Sequence, residues 1–282
     1  MLSSLCFGIA LVTGRVGLRT LDPRSGAAIS IPAATVLFVL AAPFTFDAEG
    51  FNARAAVLFA LVGLFFPAVV TILTFRSNEQ LGPTVTGAVS GTAPLFALLA
   101  AALLLGEKIP AQAAAASVAI LAGVALLSWK PGSVNSGFPG WSLLWPLSGA
   151  LIRGFAQAGA KAGLLLWPNP FAASLIGYLV SSAAVTGASR FRRTASPRAT
   201  AHGVAWFVIT GVLNGSAVIL MYAALSLAPV SLVAPVVATY PLITALVSAV
   251  VLREEPLTLR MMAGATITVL AVAFLVGAGT GA

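Results

Sequence analysis

The chain has one cysteine, Cys6, and one histidine, His202, in 282 residues. It can form no internal disulfide, and it has no thiolate or imidazole cluster to hold a metal. Only seven residues are acidic. Asp22, Asp47, Glu49, Glu79, Glu107, Glu254 and Glu255 all fall in expected loops or at the ends of apolar runs. A proton-coupled exporter of hydrophobic cations needs a carboxylate buried near the middle of a span, so the sequence argues against that activity. A Walker-type phosphate loop is missing, which argues against ATP drive by this chain. No nucleophile stands with a base, so neither enzyme chemistry nor a cofactor is expected. Charged residues make up 8% of the sequence, against roughly a quarter in a soluble domain.

What replaces charge is hydrophobicity: 59% of residues are apolar and the mean hydropathy is +1.03. Lipid is therefore an expected partner, and backbone groups in lipid must be satisfied within the chain. The runs are continuous and near helix-spanning length, without the alternation of barrel strands. The expected fold is an all-α integral membrane protein. Ten spans are expected, at about 2–20, 27–46, 54–75, 83–105, 111–129, 143–163, 171–189, 203–225, 230–252 and 258–277. The first run lacks a basic leader and a clear cleavage site, so it reads as a span and not a removable signal. The net charge of +8 lies in short loops, where it sets topology and does not point to nucleic acid. Loops after odd-numbered spans hold most of it, including Arg19, Arg24, Arg76, Lys130, Arg190 and Arg253, which would place both termini outside the cytoplasm.

The segment 71–127 recurs as 219–275. At an offset of 147, Thr84 meets Ser231, Thr92 meets Thr239 and Pro94 meets Pro241; beyond the turn the offset is 148, and Glu107 meets Glu255. Five spans per half is an odd number, so the second copy would enter the membrane from the opposite face, giving two inverted five-helix repeats. Several segments carry a resemblance to a known family: Thr92-Ala93-Pro94-Leu95-Phe96, Leu105-Gly106-Glu107-Lys108-Ile109, Tyr240-Pro241-Leu242 and Glu255-Pro256-Leu257-Thr258. On these the chain resembles the EamA branch of the drug/metabolite transporter superfamily, as two units over residues 3–129 and 142–276. The turn departs from the family's Gly-Glu-x-Leu-Thr in both copies: Ile109-Pro110 replaces Leu-Thr in the first, and Arg253-Glu254 lacks the glycine in the second. The resemblance implies a carrier of a small metabolite, often outward, in a bacterial inner (plasma) membrane. It also implies cytoplasmic termini, against the charge count.

Arg153 falls near the middle of span 6, where a charge costs roughly 2.5–3.5 kcal/mol on insertion scales. Gln157 and Lys161 follow at helical spacing on the same face. This stripe either lines a wet pathway, with the guanidinium facing a substrate carboxylate or phosphate, or serves packing, with Lys161 snorkelling to the interface. Thr92, Thr239, Tyr240 and Asn214 are the other candidate substrate residues. Asn214 could equally be interhelical glue. Thr13, Arg15, Thr71 and Thr74 are further cavity candidates. Pro94 and Pro241 fall near the centres of spans 4 and 9 and are candidate hinges, each expected to kink a continuous helix and free the carbonyl one turn earlier. The pairs Gly87/Gly91, Gly159/Gly163 and Gly211/Gly215 let helices approach closely. Glu107 and Glu255 are expected to head spans 5 and 10 and to favour those helix dipoles. The function expected is a non-ATP carrier that moves a small solute with an anionic group, such as an amino acid, by alternating access. The alternatives are an intramembrane enzyme on lipid-linked substrates or a non-transporting membrane partner. Lipid, a small solute and, as an open option, a second copy of the chain in a homodimer are the expected partners.

Overall fold

The computed structural model describes residues 1–128, 140–191, 200–252 and 259–279. Among these there is no strand. The helices are α1 (Leu2–Gly17), α2 (Pro23–Thr45), α3 (Ala53–Phe65), α4 (Ala68–Ser90), α5 (Ala93–Leu105), α6 (Ala111–Ser128), α7 (Leu144–Leu166), α8 (Pro170–Phe191), α9 (Ala201–Leu227), α10 (Val230–Val237), α11 (Tyr240–Val251) and α12 (Leu259–Gly279). Five helical stretches are long and apolar enough to cross a membrane on their own: Pro23–Thr45, Ala53–Ser90, Pro170–Ala188, Ala201–Leu227 and Val230–Val251. Their outward faces carry exposed Val36, Leu40, Leu61, Val212 and Val250, a surface that hydrocarbon satisfies and water does not.

Three of the expected spans are broken, each close to a proline. The run 54–75 divides at a cis Phe66–Pro67 bond into α3 and the start of α4. Within α4 the backbone leaves the helix at Gly82, at φ 79° and ψ 169°, a conformation that needs a residue without Cβ. Pro83 then restarts the helix. The run 83–105 divides again at Gly91 and Thr92, and the run 230–252 divides at Ala238 and Thr239. Pro94 and Pro241 lie in the first turn of α5 and α11, where a missing N–H is tolerated, and the residues just ahead, Thr92 and Thr239, keep right-handed helical φ and ψ.

The duplication repeats down to single hydrogen bonds. The Thr92 hydroxyl donates to the Val89 carbonyl at 2.7 Å, and the Thr239 hydroxyl to the Val236 carbonyl at 2.9 Å. Helix packing repeats too. Helix α1 packs chiefly on α9 and α11, as α7 packs on α3, α4 and α5; α2 packs on α9 as α8 packs on α3. Phe207 fills the space beside Gly17, and Phe59 fills the space beside Gly163. Ile243 abuts Gly8 as Phe96 abuts Gly154. Exchanging the halves leaves this pattern unchanged.

The outcome is two bundles, each drawing helices from both halves. The first holds α1, α2, α9 and α11, with α10 joined to it by a hydrogen bond from Ser4; the second holds α3, α4, α5, α7 and α8; the two meet where α10 packs on α5 and α2 on α8. Hydrogen bonds join the helices of the first bundle: Ser3 to the Ala217 carbonyl, Ser4 to Val236, and Thr13 to Thr210, at 2.7, 2.9 and 2.8 Å. In the second, Ser181 donates to the Gly63 carbonyl, at a point where α3 and α8 meet glycine to glycine. Helices α6 and α12 stand aside and pack on each other around Ile120, Val124, Ala271 and Val272.

Glu107 does not act on the helix that follows it. Its carboxylate accepts from the backbone N–H groups of Val230 and Ser231, at 3.1 and 2.9 Å, and from the Ser231 hydroxyl. It therefore caps α10, in the other half of the chain, and not α6 as the sequence suggested. A carboxylate is favoured at any helix N-terminus, and tertiary structure decides which one it reaches. Glu255, its partner in the repeat, lies outside the described residues, as do Arg253, Glu254 and Lys130.

Asp22 is the N-cap of α2. Partial burial pushes its carboxyl up, but hydrogen bonds from the Ser25 hydroxyl and from the Ser25 and Arg24 N–H groups outweigh this and hold it below the usual carboxylate range. Because the folded value is depressed, the stabilisation is complete above an unfolded pKa of about 3.9 and is lost as pH falls through the folded value. Asp22→Ala is expected to cost about 1 kcal/mol at pH 7. The gap between variant and parent should close when thermal stability in detergent is followed below pH 4.

Candidate functional site

Arg153 lies in the interior of α7, only 8% exposed, at the boundary of the two bundles. Three aromatic rings surround its guanidinium. The carbon at its centre is 5.1 Å from the centroid of Phe7, 5.4 Å from Tyr240 and 5.7 Å from Phe66. Phe7 and Tyr240 come from the first bundle, on α1 and α11, and Phe66 from the α3–α4 junction of the second. Among the described residues no carboxylate pairs with Arg153, and its Nε has no hydrogen-bond partner. Ring faces stabilise a cation through their quadrupole, each by about 0.5–2 kcal/mol, while leaving its in-plane N–H donors available.

Two adjoining clefts open on this group. One is lined by Phe7, Leu11, Thr74, Ser90, Asn214 and Tyr240, the other by Phe66, Thr71, Thr74, Tyr178, Asn214 and Val218; Arg153 is in both. They are narrow, with room for about one or two waters, so a solute must part the walls. Polar groups without partners gather here. The Tyr178 hydroxyl has none, and neither has the Gln157 Oε1, one turn along α7 from Arg153 and 2% exposed; the Tyr240 hydroxyl faces the Ser90 and Arg153 side chains. Buried polar atoms are rarely left unpaired, so two of them beside a buried cation are an unusual grouping.

The structure thus brings Arg153, Asn214 and Tyr240 together, with Gln157 adjacent. It does not bring Thr92 and Thr239 to the clefts; they close the breaks ahead of α5 and α11. Thr71 and Thr74 line the clefts, whereas Thr13 bonds to Thr210. Arg15 donates to the carbonyls of Asn78 and Glu79, at 2.8 and 3.0 Å. The Lys161 ammonium donates to the carbonyls of Leu225 and Ala228, at 2.6 and 3.0 Å. Pro94 is buried, and Pro241 packs on the face of α4 that Gly87 and Gly91 leave open. His202 accepts from the Trp206 indole at 2.9 Å and stands with no nucleophile.

Sequence reasoning missed Phe7, Phe66, Tyr178 and Ser90. One signal was available. With the repeat extended back to α1 and α7 at an offset of 146, Phe7 is the counterpart of Arg153. The cation and the ring it meets therefore occupy one position in the two halves, where the repeat abandons its own symmetry.

No curated protein matches the chain. Among solved structures, a crystal structure of a protein matches with a TM-score of 0.77 at 15% identity, over 96% of this chain and 93% of the other, which shows a shared fold. The profile of the EamA-like transporter family matches residues 1–129 and again 140–277. Two copies of one transporter unit in a single, multi-pass membrane chain account for the symmetry of the packing, and the chain belongs to the EamA-like transporter family of the drug/metabolite transporter superfamily.

Proposed function

We propose that the protein is a secondary carrier that moves a small solute bearing an anionic group, an amino acid being a fitting size and type, by alternating access. Counting broken helices as single crossings gives five per half: α1, α2, α3 with the start of α4, the rest of α4 with α5, and α6, then their counterparts from α7 to α12. Five is odd, so the halves are oppositely inserted, and ten crossings result. Export, and a bacterial inner membrane, follow the family resemblance.

The observation that carries this reading is Arg153: a buried guanidinium, held between two bundles by ring faces, with no carboxylate beside it among the described residues and an Nε that has no partner. The rings stabilise the charge when the carrier is empty, so that no carboxylate is needed. An arriving carboxylate would meet in-plane donors in the bidentate geometry that suits it. Gln157, Asn214 and Tyr240 would orient the rest of the solute, and Phe7 and Phe66 would cover its apolar part. Thr92 and Thr239, with Pro94 and Pro241, are read as matched hinges, because the helix breaks there in both halves.

An intramembrane enzyme would need a catalytic acid at interface depth. Glu107, the described acid nearest that role, is committed to three donors around α10. Purified protein in liposomes loaded with radiolabelled amino acids tests the proposal. Saturable, protein-dependent flux is expected. Flux no faster than in empty liposomes across an amino-acid panel would overturn it, and the appearance of modified lipid would favour the enzyme.

A further inference from the structure

Two cations outside the central site are used in the same way. Arg15, on α1, holds the carbonyls of Asn78 and Glu79 ahead of the Gly82 break in α4. Lys161, on α7, holds the carbonyls of Leu225 and Ala228 at the end of α9, ahead of Pro229. They stand 146 residues apart, and the carbonyls they hold are also related by the repeat, within two residues. Each contact crosses from one bundle to the other. Arg15 belongs to the first bundle and reaches the second; Lys161 belongs to the second and reaches the first. Companions cross at the same places. The Asn78 side-chain amide, fully buried, donates to the Leu11 carbonyl at 2.8 Å beside Arg15. Glu107, after α5, caps α10 beside Lys161.

Helix C-termini expose carbonyls that a cation satisfies. Ordinarily that cation is on the same helix. Here it is on the facing bundle, so the bond forms only when the two bundles are closed at that end. Both closures are made together in this structure, and the clefts at Arg153 between them are narrow.

We propose that Arg15 with Asn78, and Lys161 with Glu107, are the two gates of the carrier, one at each membrane face. This rests on the transport reading and on oppositely inserted halves: α1 and α7 would then run in opposite directions, and their final turns would lie at opposite faces. Solute enters when one set of bonds is broken and the other kept. The state with both made is the occluded one. The carbonyls remain fixed in sequence whatever the side chains, so the gate chemistry resides in Arg15, Lys161, Asn78 and Glu107.

The test separates gating from transport. In a Cys6→Ala background, Thr74→Cys puts a single thiol in the clefts. Its labelling by a membrane-impermeant maleimide is followed in liposomes of known orientation, with reagent supplied to one face at a time. Arg15→Ala is expected to raise the labelling rate at least tenfold from one face, and Lys161→Ala at least tenfold from the other. Glu107→Ala should act at the same face as Lys161→Ala. Arg15→Lys should stay slow. If Arg15→Ala or Lys161→Ala does not insert, the glutamine variants give the same readout. Unchanged labelling in both, or a rise from the same face in both, overturns the gates. Because no solute is involved, these results stand whether or not the parent protein moves amino acids. Flux in the parent with unchanged labelling in the variants would remove the gates and leave the carrier.

Discussion

Arg153→Ala is expected to reduce flux of carboxylate-bearing solutes by about 10- to 100-fold while leaving the protein folded. A hydrogen bond to a charged group is worth about 1.5–3 kcal/mol, which sets that range. Stability is the informative second readout. Burying an unpaired guanidinium in mid-span costs roughly 2.5–3.5 kcal/mol. Three ring faces return about 0.5–2 kcal/mol each. The two ranges overlap, so Arg153→Met, which keeps most of the volume, should hold its melting temperature within a few degrees of the parent. An arginine kept for packing would behave in the opposite way, with lost stability and residual flux. Measuring flux and melting temperature on the same Arg153→Met preparation distinguishes the two. Retained flux would remove Arg153 from the site.

Gly211→Val is expected to prevent α2 and α9 from packing. A Cβ at this position would collide with the carbonyl oxygen of Ser30, a backbone atom that no rotamer change can move. Its counterpart, Gly63, would place a Cβ 2.5 Å from the Gly177 carbonyl oxygen. Overpacking a rigid contact costs about 1–3 kcal/mol at one site, and more where a whole helix must shift. The other close partners of helix α2, α8 and α4, belong to the opposing bundle and do not replace its packing on α9. Gly211→Val should therefore yield little monodisperse protein or melt many degrees lower. Gly187→Ala, in α8 with no atom within 4 Å of the new methyl group, should equal or exceed the parent, because alanine favours a helix by about 0.8–1 kcal/mol over glycine. Size-exclusion profiles and melting curves of the two variants check this. A normal Gly211→Val would mean that the helices do not approach as described.

The all-helical fold and the duplication were legible because they rest on long-range regularity: continuous apolar runs, and matched Thr-x-Pro and Glu turns. The helix breaks were less legible. A proline in an apolar run reads equally as a mid-helix kink or as the first turn of a new helix, and the local sequence does not separate them. Arg153 could be found because the cost of an intramembrane charge is independent of its neighbours. Its cage could not, since Phe7, Phe66 and Tyr240 come from three separate segments, and aromatic residues are common in lipid-facing positions. Glu107 shows the same limit. Composition reveals a capping carboxylate, but only the tertiary packing shows that its helix is α10.

The binding of matched solutes to the purified protein bears most directly on the claim that a buried guanidinium with no carboxylate partner receives an anionic group between the bundles. Ligand that binds the folded state raises its apparent melting temperature. The account predicts that at least one amino acid raises it, that the amine lacking the carboxylate does not, and that the difference vanishes in Arg153→Met. Equal stabilisation by the amino acid and its decarboxylated amine, or an undiminished shift in Arg153→Met, would contradict it.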